Sequence, residues 1–154
     1  MFETKAEAKE HLKEIVESGK ALEKFKELIQ AQGGNPEIVN NYDLFSLPSY
    51  KIECTSKKSG YVHNIDAYKI AYACKILGAG RERKTDPIDY SVGIFLNKKS
   101  GEGVKKGEIL YTIYSNDKEK TKTAQKYCDE AFSISEEKPT HSNMIYKIIN
   151  AEED

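Results

Sequence analysis

Tryptophan is absent from the 154 residues, and no apolar run comes near the roughly 20 residues that a membrane-spanning helix needs. An excess of either charge is missing too: 24 Lys and Arg stand against 25 Asp and Glu, a net charge of −1. That balance gives no electrostatic ground for expecting nucleic acid or an anionic membrane as partner. Cysteine is scarce, and Cys54, Cys74 and Cys128 are far apart, odd in number and without a CxxC pair. His11, His63 and His141 do not stand at metal-ligand spacing from them. The thiols therefore read as buried and free in a reducing compartment, with no metal and no disulfide expected. The opening, MFETKAEAKEHLKE, is acidic and polar where a signal peptide would be apolar, so a cytoplasmic protein is expected. Internal repeats and low-complexity segments are also lacking.

What is present divides in two. Thr4 and Glu7 have the spacing of a capping box, and Ala8, Leu12, Ile15 and Val16 then recur with helical period. Ser18-Gly19 interrupts, and Ala21, Leu22, Phe25, Leu28 and Ile29 resume the stripe until Gly33-Gly34 and Asn35-Pro36 stop it. A helical hairpin or a kinked pair of helices is predicted over 1–34, with an apolar face along 8–29 that needs covering. The turn-rich stretch GGNPEIVNNYDLFSLPS then leads into a region of different character. Strands are expected at 50–54 and 60–65, joined at the polar turn TSKKSG, then at 90–97, 108–115, in AFSIS and in NMIYKII. Between them lie a helix capped by Asp66 that ends at Gly78 and a polar helix from Asn116 or Asp117 to about Ala131. Helices and short strands in mixed order make the fold class α+β.

The candidate sites are weak when read from the residues. Gly101, Gly103 and Gly107 permit tight turns, and SGEGVKKGEILYTIYSN resembles the hairpin on which biotinyl and lipoyl domains carry their cofactor. Lys98, Lys99, Lys105 and Lys106 flank those turns without a carrier lysine's usual neighbours, so they read as solvated surface. The glycines of GAGRER (78–83) follow a helix, where a phosphate cradle would precede one, so they read as a C-cap. Arg81 and Arg83 are placed to pair with Asp86 or Asp89. SGK at 18–20 lacks the rest of a phosphate loop. His63 would need a carboxylate such as Asp66 or Asp89 to act as a base, and no nucleophile stands at triad spacing. His141 follows Pro139 in a loop. Tyr61, Tyr68, Tyr72, Tyr90, Tyr111 and Tyr114 are not interleaved with basic residues and read as packing rather than base-stacking groups.

Three longer stretches together resemble the C-terminal part of the pyrimidine-nucleoside phosphorylase family, which includes thymidine phosphorylase. They are residues 18–39, residues 59–117 with "GAGR", "D-x-x-x-G-I-x-L-x-K-K" and "G-x-x-V-x-K-G", and EAFSISEEKP at 130–139. The resemblance implies an α/β-hammerhead domain over 35–154 with a barrel-sandwich-hybrid-like β element. It also implies that the helical segment 1–34 belongs with an α/β body absent from this sequence. The reaction it implies for the parent is phosphorolysis of a pyrimidine nucleoside to free base and (deoxy)ribose 1-phosphate, in a cytoplasmic homodimer of nucleoside salvage. The family's Gly-rich phosphate loop and base-contacting residues do not occur here. No catalytic, substrate-binding or metal residue can therefore be assigned, no cofactor is expected, and the chain alone is expected to be inactive. Its apolar face at 8–29 is expected to remain exposed, re-pack on this domain, or be buried against a second copy. The alternative reading is a free-standing biotinyl/lipoyl-like binding or carrier module.

Overall fold

A computed structural model describes residues 2–140 together with Lys147 and Ile149. The chain separates into two compact units, Met1–Ser46 and Leu47–Asp154.

The first unit is helical. Helix α1 (Lys5–Glu17) begins at the capping box the sequence announces: the Thr4 hydroxyl accepts from the Glu7 N–H at 3.2 Å, and the Glu7 carboxylate accepts from the Thr4 N–H at 3.3 Å. Ser18-Gly19 separates it from α2 (Lys20–Ala31), and two short 3₁₀ turns, Pro36–Val39 and Tyr42–Leu44, follow. Neither helix buries a single residue within the described chain. Leu12, Val16, Leu22, Phe25 and Leu28 are all exposed, so the apolar stripe is uncovered.

The second unit holds the core. Its strands are β1 (Tyr50–Thr55), β2 (Gly60–Ile65), β3 (Gly93–Leu96), β4 (Gly103–Val104), β5 (Ile109–Ser115) and β6 (Phe132–Ser135). They form two three-stranded sheets, ordered β1-β5-β3 and β4-β2-β6. Helix α3 (Ala67–Cys74) starts at Asp66, whose carboxylate accepts from the Lys69 N–H, and winds on through one wider turn to Ala79. Helix α4 (Lys118–Ala131) starts at Asp117, whose carboxylate accepts from the N–H groups of Glu119 and Lys120. This mixture of helices and sheets is an α+β fold.

Strand β5 reads ILYTIYS and is buried along nearly its whole length. It is the central strand of its sheet, with β1 on one side (Ile52 opposite Ile113) and β3 on the other (Leu96 opposite Tyr111), both antiparallel. A strand buried on both faces has no polar alternation, which explains its continuous apolar run. Within it and around it, Val62, Ala73, Ile113, Ala124 and Cys128 are fully enclosed, with Tyr111, Leu77, Val104 and Leu110 packed among them. The polar groups drawn inside are satisfied: Thr112 donates to Asn97 Oδ1 at 2.9 Å, and Thr121 to the Asp117 carbonyl at 2.6 Å.

The structure departs from the sequence reading in three places. The expected pair of strands around TSKKSG does not pair with itself, because β1 joins β5 while β2 lies in the other sheet beside β6. Ser56 is anchored to the β5 side of the turn, exchanging backbone hydrogen bonds with Glu108 and Gly107, and the chain then leaves that sheet. It does so at Gly60 (φ +150), where a Cβ would sit 2.3 Å from the Ser135 carbonyl oxygen, so only glycine permits this approach of β2 to β6. Strand 90–97 is shorter than expected and begins at Gly93, and the two-residue β4 has no counterpart in the sequence reading. The closing strand NMIYKII and His141 lie outside the described residues, apart from Lys147 and Ile149.

Candidate functional site

Several of the predicted candidates resolve into groups with internal partners, and others face solvent. In the loop after α3, the Asp86 carboxylate accepts from the backbone N–H groups of Glu82 (3.1 Å) and Arg83 (2.7 Å). The backbone donors of this loop therefore hold the protein's own anion. Asp86 and Asp89 do not pair with Arg81 or Arg83, neither of which has an ion-pair partner among the described residues. Asp89 instead accepts from Ser91 (2.7 Å) and from the Asn116 amide (2.8 Å), while Asn116 accepts from the Ser49 N–H (2.7 Å). The Ser91 hydroxyl, then Asn116, holds the Asp89 carboxyl below its ordinary value. The network ties the chain ahead of β1, the approach to β3 and the end of β5 together.

The glycine turns between β3 and β5 are pinned the same way. The Lys98 ammonium lies 2.6 Å from Glu108 and donates to the Gly103 carbonyl at 3.1 Å. The N–H groups of Lys99 and Lys105 donate to Glu102 and Glu108. Lys98, followed by the Lys105 N–H, holds the Glu108 carboxyl below its usual range. Lys98 is thus engaged in closing the turn, while Lys99, Lys105 and Lys106 point into solvent.

His63 is exposed at a register break in β2, between Val62 and Asn64. Its carbonyl accepts from the Ser100 hydroxyl, and its ring has no carboxylate partner among the described residues. Asp66 caps α3 instead. Three of the tyrosines gather on the outer side of α3 and α4: Tyr68 stacks with Tyr72, and Tyr72 meets Tyr127 edge-on at 4.9 Å. Cys54 and Cys128 are buried and Cys74 is half-buried, all three as free thiols. Burial raises each of them, and the Cys128 thiol is pushed up to about 12. Among the described residues, no three His, Cys, Asp or Glu side chains converge to hold a metal ion, and no helix is long and apolar enough to cross a membrane.

One arrangement was missed from the sequence. The Tyr111 phenol, 1% exposed, donates to Asp129 Oδ1 at 2.6 Å from the middle of β5 to the last turn of α4. Burial, then Asp129, drives the phenol far above its ordinary range, so it stays protonated and a donor. Beside the carboxylate lies a pocket of about 300 Å³ walled by Leu110, Phe132 and Ile134, with Lys57 and Lys58 at its edge. The available signal was Asp129 itself, an acid placed at the negative end of a helix, where the dipole disfavours it.

Comparison with known proteins gives the chain a family. Residues 61–135 match the family model for the pyrimidine nucleoside phosphorylase C-terminal domain. The chain is 44% identical over 146 residues to a pyrimidine-nucleoside phosphorylase of Staphylococcus haemolyticus, an alignment covering 95% of this chain and 33% of that protein. It is 42% identical over 149 residues to the Staphylococcus aureus protein of the same name, covering 96% and 34%. With that of Bacillus subtilis it shares 45% over 114 residues, covering 74% and 26%. The chain thus spans about a third of the length of the curated relatives it matches. The match centred on the two sheets and on α3 and α4 means that this chain carries the C-terminal domain of the pyrimidine-nucleoside phosphorylase family.

Proposed function

We propose that this chain is the structural C-terminal portion of a pyrimidine-nucleoside phosphorylase and holds no active site of its own. The parent reaction is attack of phosphate at C1′ of a pyrimidine nucleoside, releasing the base and leaving (deoxy)ribose 1-phosphate. Its oxocarbenium-like transition state needs groups that grip phosphate and others that stabilise charge on the departing base. The observation that carries the scaffold reading is the near-complete alignment of the chain with only a third of its relatives. The internal partnering of Asp86, Asp89, Glu108 and Lys98 supports it, because these charges are engaged in closing loops.

On this reading residues 35–154 form an α/β-hammerhead domain with a barrel-sandwich-hybrid-like β element, supported by the two small sheets and their flanking helices. The helical segment 1–34 belongs with the α/β body of the parent, and the uncovered stripe of Leu12, Val16, Phe25 and Leu28 is the face that would meet it. Without that body, the same face is available to a second copy. The parent is a cytoplasmic, homodimeric enzyme of nucleoside salvage, and the domain's contribution is rigid support for cleft closure. The test is direct: incubate the purified chain with phosphate and either uridine or thymidine and follow release of free base. No release is expected, and turnover by the chain alone overturns the proposal.

A further inference from the structure

The pocket beside Asp129 has no part in the scaffold reading. It lies where the end of β1, the start of β5, the last turn of α4 and β6 meet, and encloses about 300 Å³. Leu110, Phe132 and Ile134 give it apolar walls. The last turn of α4 carries two acids and no base, against the helix dipole. Glu130 is answered by the Lys69 ammonium at 3.0 Å. Asp129 is not answered in the same way. Its Oδ1 is fixed by the buried Tyr111 phenol, while its Oδ2 has among the described residues only the Lys57 ammonium, 3.6 Å away and therefore beyond a good hydrogen bond. Lys57 is 88% exposed, so that partner is free to swing aside. The result is a carboxylate locked on one side and open on the other, next to a cation, at the mouth of an apolar slot.

This donor set discriminates between ligand charges. A simple cation would meet Lys57 and Lys58, and a simple anion would meet Asp129. A molecule with both charges close together can engage both sides at once. The size is at the small end of ligand sites, suited to one side chain of leucine or phenylalanine bulk. We propose that this pocket binds a small zwitterion with an apolar side chain, of the α-amino acid class. Its ammonium takes Asp129 Oδ2, its carboxylate takes Lys57 and Lys58, and its side chain rests on Leu110, Phe132 and Ile134. The charged partners are solvent-exposed, so the affinity is in the range of about 0.1–10 mM. The proposal is independent of the scaffold reading and stands or falls separately from it.

The test is an NMR titration of the ¹⁵N-labelled chain with L-phenylalanine to roughly 50 mM, about fivefold above the weak end of that range. Saturable shifts are expected at the amides of Leu110, Phe132 and Ile134. N-acetylphenylalanine, which lacks the ammonium, and phenylalanine methyl ester, which lacks the carboxylate, should each bind about tenfold more weakly, the loss of one charged hydrogen bond. Lys57→Ala should weaken phenylalanine binding similarly, and because this side chain is exposed it leaves the fold intact. Asp129→Asn keeps an acceptor for Tyr111 and should also weaken binding. Absence of saturable shifts, equal binding of either blocked analogue, or unchanged binding by Lys57→Ala overturns the proposal.

Discussion

The two units of this chain are built on opposite terms. The first unit forms two regular helices, the first closed by a capping box, yet its described residues bury nothing, whereas the unit from Leu47 onward encloses Val62, Ile113, Ala124 and Cys128 completely. Local signals suffice to write a helix, but stability comes from packing its apolar face. The first unit therefore has secondary structure with an uncovered apolar face, and the second has a finished core. The comparison teaches that, among the described residues, exposed apolar side chains concentrate in the most regular segment.

The contrast can be broken by substitution. Ile113→Ala removes a fully enclosed side chain at the centre of β5 and should cost the second unit about 2–5 kcal/mol, read by urea unfolding followed by far-UV circular dichroism. A loss below about 1 kcal/mol would mean that this core is not close-packed. Alkaline titration sharpens the same point. Cys128 has its thiol raised from 9.0 to about 12 in the folded state, so the stability it contributes is complete below pH 9 and is lost as pH rises towards about 12. Melting temperature should decline across that window and the decline should be smaller for Cys128→Ala; identical profiles would contradict the burial.

A smaller effect is expected in acid. Asp89, Asp117 and Glu108 are all held below their ordinary values, by the Ser91 hydroxyl, the Lys120 N–H and Lys98 respectively as the leading causes. A lowered carboxyl contributes stability above its unfolded value and loses it as pH falls through the folded one, so the loss should begin below about pH 4.5. Asp89→Asn should flatten that acid limb modestly; an unchanged limb would remove Asp89 from it. The smallest effect belongs to the other unit. Phe25→Ser should leave the unfolding midpoint within about 0.5 kcal/mol of the parent chain, because this ring is already half exposed. A larger loss would show that α2 is packed after all.

Much of this was legible in the sequence, and the illegible parts have physical causes. The Thr4–Glu7 box, the Ser18-Gly19 break and the caps at Asp66 and Asp117 are local chemistry and were readable as such. The separation of β1 from β2 was not, because a short polar turn looks the same whether its strands pair or part, and the deciding contact at Gly60 comes from Ser135, far along the chain. Arg81 and Arg83 were matched to Asp86 or Asp89 by charge, whereas backbone N–H groups hold the first and Ser91 and Asn116 the second. The Tyr111–Asp129 bond joins residues on different elements with no motif to link them. The family likeness was carried by residues 18–39, 59–117 and 130–139 together, and the glycine and lysine spacings within 59–117 are ones the fold uses to close loops.

The central claim is that this chain supports a catalytic body it does not contain. Its most direct test mixes the purified chain with the complementary two-thirds of a bacterial relative and follows phosphorolysis of uridine and thymidine. Base release should appear only when both pieces are present, and should fall when Leu12 and Phe25 are both replaced by serine. Release by the chain alone, or equal release by the relative's piece with and without it, would contradict the account.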